Sequence, residues 1–375
     1  MITLHHLKKY RITFLLFLLF NLQSSVQSLA SPLPLQEFTK TISESFDISK
    51  GGLVEINNRY GNVDVETVSG NRVSFEIQII AEAKNQERAN QILDRVDVDF
   101  TSSSDRVSAS TDIDEGKKWK WKNNESFKIN YRVMLPESSP VKISNKYGDV
   151  GMVSVLGDVE LDLKYGNGNL QDVGGDLTLN VAYAGSFSAG SVGGEADLQL
   201  SYSQTSFEDV QSCRIRSKYS QVSFGDVGNM DTESKYDKYE MNSVGELLNR
   251  GKYDNFKISK AGQIDIDTRF TKVKIGELDK AGDFRTEYGS VSIEDLASGF
   301  DHLDIHSKHT GYTVAPAGGY KVTAEGNYTS FSVPDDMKVS EREKEGKKEV
   351  IKGQYGSGSS SITAVMKYGH LKIKD

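Results

Sequence analysis

The residues whose types and spacing best suit chemistry are Asp265, Asp267, Asp283, Asp304 and His306. With Arg285 they fill alternate positions of three short runs, Asp265-Ile-Asp267, Asp283-Phe-Arg285 and Asp304-Ile-His306. Paired carboxylates about 5–10 Å apart would cleave a glycosidic bond. Asp oxygens with a His nitrogen would instead hold a cation. The plainer reading is a solvated face, because equivalent runs along the chain also carry polar residues here. On that reading the chain is not an enzyme and needs no cofactor or metal.

Three other sets of residues carry a functional reading beside a plainer one. Lys146, Lys164, Lys218, Lys235, Lys252, Arg269 and Lys308 each stand directly before an aromatic-type residue. Stacked, Lys218, Lys235, Lys252 and Arg269 would form a basic ladder able to hold a polyanion such as an acidic polysaccharide. The alternative is a solvated row paired with neighbouring acids. In Lys117-Lys-Trp-Lys-Trp-Lys122, a strand would set Trp119 and Trp121 on one face, to meet a glycan or lipid headgroup or to cover an open end of the fold. Cys213, the only cysteine, falls in an apolar slot and reads as a small core residue. No nucleophile elbow, phosphate loop or paired-cysteine metal motif is present.

A repeat must position these side chains. Its anchors are Tyr147, Tyr165, Tyr183, Tyr202, Tyr219, Tyr236, Tyr253, Phe270, Tyr288, His309 and Tyr328, spaced 17 to 21 residues apart, with Tyr60 and Tyr368 as outlying members. Six and four residues before each anchor stand mostly apolar residues, for example Leu198 with Ala196 and Ile215 with Cys213. Equal parity puts both slots on one face of a strand. The same parity predicts anchor rings turned inward at a corner, hydroxyls near the surface. Beyond the anchor the apolar slots lie three and five residues on, as in Val222 and Phe224, so the chain bends there. Gly157, Gly174, Gly175, Gly193, Gly194, Gly228, Gly245 and Gly262 fall in the returns, where positive φ is expected. One such unit cannot bury its own apolar face. Stacked at about 4.8 Å, the units would bury continuous ladders. The predicted fold is all-β, a single-chain β-solenoid of about 18-residue coils with a small α/β excursion at its N-terminal end.

That excursion separates Tyr60 from Tyr147. It reads as a strand at Val73–Ile80, a helix near Lys84–Leu93 burying Ala83, Ala89, Ile92 and Leu93, and strands near Val96–Phe100, Val107–Ile113 and Phe127–Leu135. The expected organisation is 1–30 signal peptide, 31–140 first coil and capping excursion, 141–334 repeats, and 335–375 a charged, mobile hairpin insertion with a final coil.

The signal rests on Lys8, Lys9 and Arg11, the apolar run Ile12 to Leu22, and Ser28-Leu29-Ala30. Its removal takes the formal charge from −8 to −11. A net-acidic exported chain argues against nucleic acid as a partner. No later segment is apolar enough to cross a bilayer as a helix. The implied location is the periplasm or surface of a bacterium, and the implied partner a polysaccharide or an envelope protein.

Tyr60-Gly-Asn-Val-Asp-Val, the strand–helix–strand excursion, Tyr131-Arg-Val-Met-Leu-Pro136 and the restart at Lys146-Tyr147-Gly-Asp-Val resemble the bacterial putative-adhesin domain family, over most of residues 40–330. The resemblance implies an exported envelope repeat protein, with no catalytic residues to carry over.

Overall fold

The computed structural model describes residues 35–114, 116 and 125–374. They form one mixed sheet of 24 strands with a single helix among the described residues, so the chain is all-β. From Val141 onward, strands lie parallel to the equivalent strand of the next repeat. Leu198 pairs with Ile215, Ile215 with Thr232, Thr232 with Asn249 and Asn249 with Ile266. The positions six and four before the anchor are buried, as parity requires. Leu198, Ile215, Ile264 and Ile266 are fully covered, and Cys213 lies in register between Ala196 and Met230. Thr232 and Asn249 are polar exceptions, satisfied in part by the bond from Asn249 Nδ2 to Thr232 Oγ1 at 2.7 Å. A second buried wall comes three and five residues after the anchor, among them Val222, Tyr239, Phe256 and Val273. Val210, Val227, Val244 and Ala261 line a third.

The bend between the first two walls is made differently from the sequence expectation. All thirteen anchors, Tyr60 through Tyr368, adopt the left-handed conformation with φ between 50° and 65°. That step reverses parity one residue early. The anchor ring swings out to solvent, and the residue after it turns inward. The inward-ring expectation is therefore wrong, as the 37% to 50% exposure of the twelve Tyr and Phe anchors records. The glycines reverse in the same sense. None of the return glycines has positive φ. Gly228, Gly245 and Gly262 are glycine because a Cβ would meet the carbonyl oxygen of the preceding repeat at 2.3–2.6 Å.

Strand order also departs from chain order. The strand Ser360–Ile373 lies parallel between His302–Pro316 and Tyr320–Ser332, so the last repeat is inserted before its predecessor. The charged segment forms the antiparallel hairpin Lys338–Glu345 and Lys348–Tyr355. It is not a free arm: Lys348–Tyr355 pairs along its length with Tyr320–Asn327, and Arg342 bonds the buried Glu349 at 2.9 Å.

Towards the N-terminus, Gln36–Asp47 pairs antiparallel with Arg72–Ala83, which pairs antiparallel with Ser126–Pro136. The helix Gln86–Leu93 packs on the first two of these and buries Ala89, Ile92 and Leu93. Asn85 caps it, and Ala83 belongs to the preceding strand. Arg88 holds the buried Glu125 through Nε and a terminal nitrogen at 2.9 and 2.8 Å. The proposed signal residues lie outside the described residues.

Candidate functional site

Because every anchor turns outward at the same point of its repeat, the rings meet. Tyr60, Tyr147, Tyr165, Tyr183, Tyr202, Tyr219, Tyr236, Tyr253, Phe270, Tyr288, His309, Tyr368 and Tyr328 stack in that order. Neighbouring centroids are 4.5–5.3 Å apart and ring planes agree within 24°. Phe127 closes one end edge-on against Tyr60. Lys347 closes the other, its Nζ 4.3 Å from the Tyr328 ring centre. Each ring face within the row lies against the next ring, so the row presents ring edges and hydroxyl ends.

Beneath the ladder the inward-turned residues form a polar column. The N–H of Ala184 donates to Ser203 Oγ, that of Ser203 to Ser220 Oγ, and that of Ser220 to Asp237 Oδ1. Asp237 N–H donates to Asp254 Oδ1, and Asp254 N–H to Thr271 Oγ1. Each repeat thus supplies a side-chain acceptor to a backbone donor left unpaired at the bend, as buried donors require. Asp237 and Asp254 are both buried. Burial raises both carboxyls, and the neighbouring Asp237 adds to the rise at Asp254, which reaches about 6. A shallow groove along this side runs past Tyr202, Tyr219, Tyr236 and Tyr253 with Gln204, Gln221 and Lys238 on its wall.

On the other side the ladder is bordered by the residue before each anchor. Lys218, Lys235, Lys252 and Arg269 are aligned in parallel register and exposed, as expected. The row continues through Glu287 to Lys308 and Lys367. Arg269 pairs with Glu287 at 3.2 Å and Lys164 with Asp162 at 3.2 Å. Among the described residues, Lys218, Lys235, Lys252, Lys308 and Lys367 have no ion pair. The Nζ of Lys235 and of Lys367 each lie 5.3 Å from the adjoining Tyr236 and Tyr368 ring centres. Further from the ladder, Lys142, Lys260 and Lys274 are paired with Glu160, Glu277 and Glu294, while Lys257 and Lys272 have no ion pair among the described residues.

The acidic cluster separates into two rows. Asp265, Asp283 and Asp304 are in register, as are Asp267, Arg285 and His306. Arg285 bonds Asp265 and approaches Asp267 at 3.9 Å. Asp267, Arg285 and His306 line a groove of about 440 Å³, whose walls do not include Asp283 or Asp304. Those two converge instead with His302, whose Nε2 lies 3.2 Å from Asp283 Oδ2. The five residues expected as one constellation are thus split: Asp267 and His306 line the groove, while Asp283 and Asp304 gather with His302, their ligand atoms within 4.8 Å of one another. His302 stands outside the alternating positions read from the sequence; its place one residue before the core residue Leu303 is the signal for it. Trp119 and Trp121 lie outside the described residues. Cys213 is buried, and burial pushes its thiol far up.

No model of a known protein family matches the chain, and no curated protein matches it. Solved structures do. A "putative cell adhesion protein" from Clostridium sporogenes is 13% identical, with 89% of this chain and 99% of that one covered at a TM-score of 0.20. A "putative adhesin" from Parabacteroides merdae is 10% identical, with 90% and 97% covered at 0.26. A "putative lipid binding protein" from Parabacteroides distasonis is 9% identical, with 89% and 97% covered at 0.22. The adhesin-like resemblance read from the sequence thus recurs among the structural neighbours, which at these scores say nothing of what this chain binds.

Proposed function

We propose that the protein is a non-enzymatic, exported β-solenoid of about 18-residue coils. It acts as an adhesin-like or scaffold module of a bacterial envelope, and the aromatic ladder is the surface it offers to a glycan or protein partner. One observation carries this reading. Left-handed backbone costs a side-chain-bearing residue about 1–2 kcal/mol that glycine avoids, yet none of the thirteen anchors is glycine and twelve are Tyr or Phe. Exposed rings kept at strained positions fit a surface selected for contact.

A glycan array and immobilised envelope fractions, probed with the full chain, test it. Native protein is expected to be retained, and Tyr219→Gly/Tyr236→Gly/Tyr253→Gly, which suits the backbone, is expected to lose retention. Equal retention of the two proteins, or none of the native one, defeats the reading. Export is checked by N-terminal sequencing of the mature protein; a chain still beginning at Met1 counts against it.

A further inference from the structure

Resting on that reading, we propose that the ladder's partner is a linear anionic polysaccharide. It would lie lengthwise along the stacked rings, with its acid groups over Lys218, Lys235 and Lys252 and on towards Lys308 and Lys367. Four observations converge. Lys218, Lys235, Lys252, Lys308 and Lys367 have no ion pair among the described residues, whereas Lys164 earlier in the same row is held by Asp162. The chain carries a formal charge of −8, yet from Lys218 to Lys367 this row holds a single acid, Glu287. Ring edges carry the positive rim of the aromatic quadrupole, so the adjoining row of edges favours oxygen and anions as well. Across the ladder, Gln204 and Gln221 add side-chain donors along the groove.

Spacing selects the polymer. The rings repeat every 4.5–5.3 Å. A 1,4-linked sugar ring advances its chain by roughly one strand spacing, so the rings keep pace with the repeats and the twist of the chain returns an acid group to the lysine side every second or third ring. An extended polypeptide presents side chains on one face at about 6.6 Å, twice its rise per residue, and drifts out of register within a few repeats. A sugar chain also offers hydroxyls to the phenol and amide groups, which an acidic peptide does not.

Binding of the full chain to three probes tests this by calorimetry: sodium polygalacturonate, the same polymer fully methyl-esterified, and poly-glutamate. Polygalacturonate is expected to bind, and to weaken by about tenfold between 50 and 200 mM salt as released counterions require. The methyl ester should not bind, and poly-glutamate should bind at least about tenfold more weakly. Lys218→Ala/Lys235→Ala/Lys252→Ala should lose about tenfold or more at unchanged melting temperature. Lys142→Ala/Lys260→Ala/Lys274→Ala should bind as the native chain does. Equal binding of the methyl ester or of poly-glutamate, or equal loss in both triple variants, overturns the proposal. Should only neutral glycans or envelope proteins bind, and do so through the tyrosines, this proposal fails while the contact-surface reading stands. Should the tyrosine variants change nothing, the contact-surface reading itself fails.

Discussion

At Tyr236 two terms of similar size oppose each other. The left-handed backbone costs about 1–2 kcal/mol, and each stacked pair returns about 0.5–1.5 kcal/mol beyond simple burial. Ala at this site keeps the strain and loses both stacks, while Gly loses the stacks and removes the strain. Tyr236→Gly should therefore be less destabilising than Tyr236→Ala by about 1 kcal/mol in urea unfolding, the reverse of the usual order inside a strand. Equal losses would remove strain from the account. The column beneath supplies a pH effect. Asp254 stands near 6 in the folded chain against about 3.9 unfolded. A raised folded value means that the folded state holds the proton more tightly. The contribution is full below about pH 4 and is lost as pH rises through 6, on the order of 3 kcal/mol in all. Serine already serves at Ser203 and Ser220 in this column. The native chain should gain on Asp254→Ser in thermal melts as pH falls from 7 to 5; parallel curves would assign the charge elsewhere.

Among the strands, the walls were legible because parity depends on residue type alone. Leu198 and Ile215 announce a buried face wherever an alternating run is bounded on both sides, and both are fully covered. Leu198→Ala should cost about 2–5 kcal/mol, whereas the exposed Lys235→Ala should stay within about 0.5 kcal/mol; chemical denaturation of the two variants makes the comparison. Cys213 should react with a thiol reagent only after unfolding, as its burial between Ala196 and Met230 requires. The bend was not legible. Tyrosine has no preference for positive φ and glycine does, so the sequence points to Gly228 and Gly245 as the flexible positions. In the folded chain a neighbour's carbonyl, not φ, demands glycine there. The outward facing of the lysine row could be read, since Lys235 precedes the parity break. The ladder beside it could not, since Tyr236 is the break itself.

In the molecule as a whole, local grammar leaves global order open. Tyr328 and Tyr368 carry the same pattern, and nothing in either segment states which is to meet His309. The order is settled at the far end, where Lys348–Tyr355 pairs antiparallel with Tyr320–Asn327 and occupies that strand's outer edge. Removing residues 360–374 should leave His309 and Tyr328 without the ring that now lies between them. Hydrogen exchange should then show the strands His302–Pro316 and Tyr320–Ser332 losing protection while the strands before Lys252 keep theirs, because repeats depend chiefly on their neighbours. Uniform loss of protection would mean that the stack unfolds only as a unit.

The inserted strand also imposes a timetable. A chain that emerges N-terminus first, from the ribosome or across a membrane, begins to fold before its later strands appear, at about 5–20 residues per second where synthesis sets the pace. The repeats up to His309 can stack in the order in which they emerge. Tyr320–Ser332 and its hairpin emerge next, but their seat against His302–Pro316 must stay vacant for Ser360–Ile373. For some seconds the nascent chain therefore holds two open parallel edges of matching register, each able to accept the wrong strand, including the other or its copy on a neighbouring chain. The keystone arrives last, and assembly errors should concentrate in that interval.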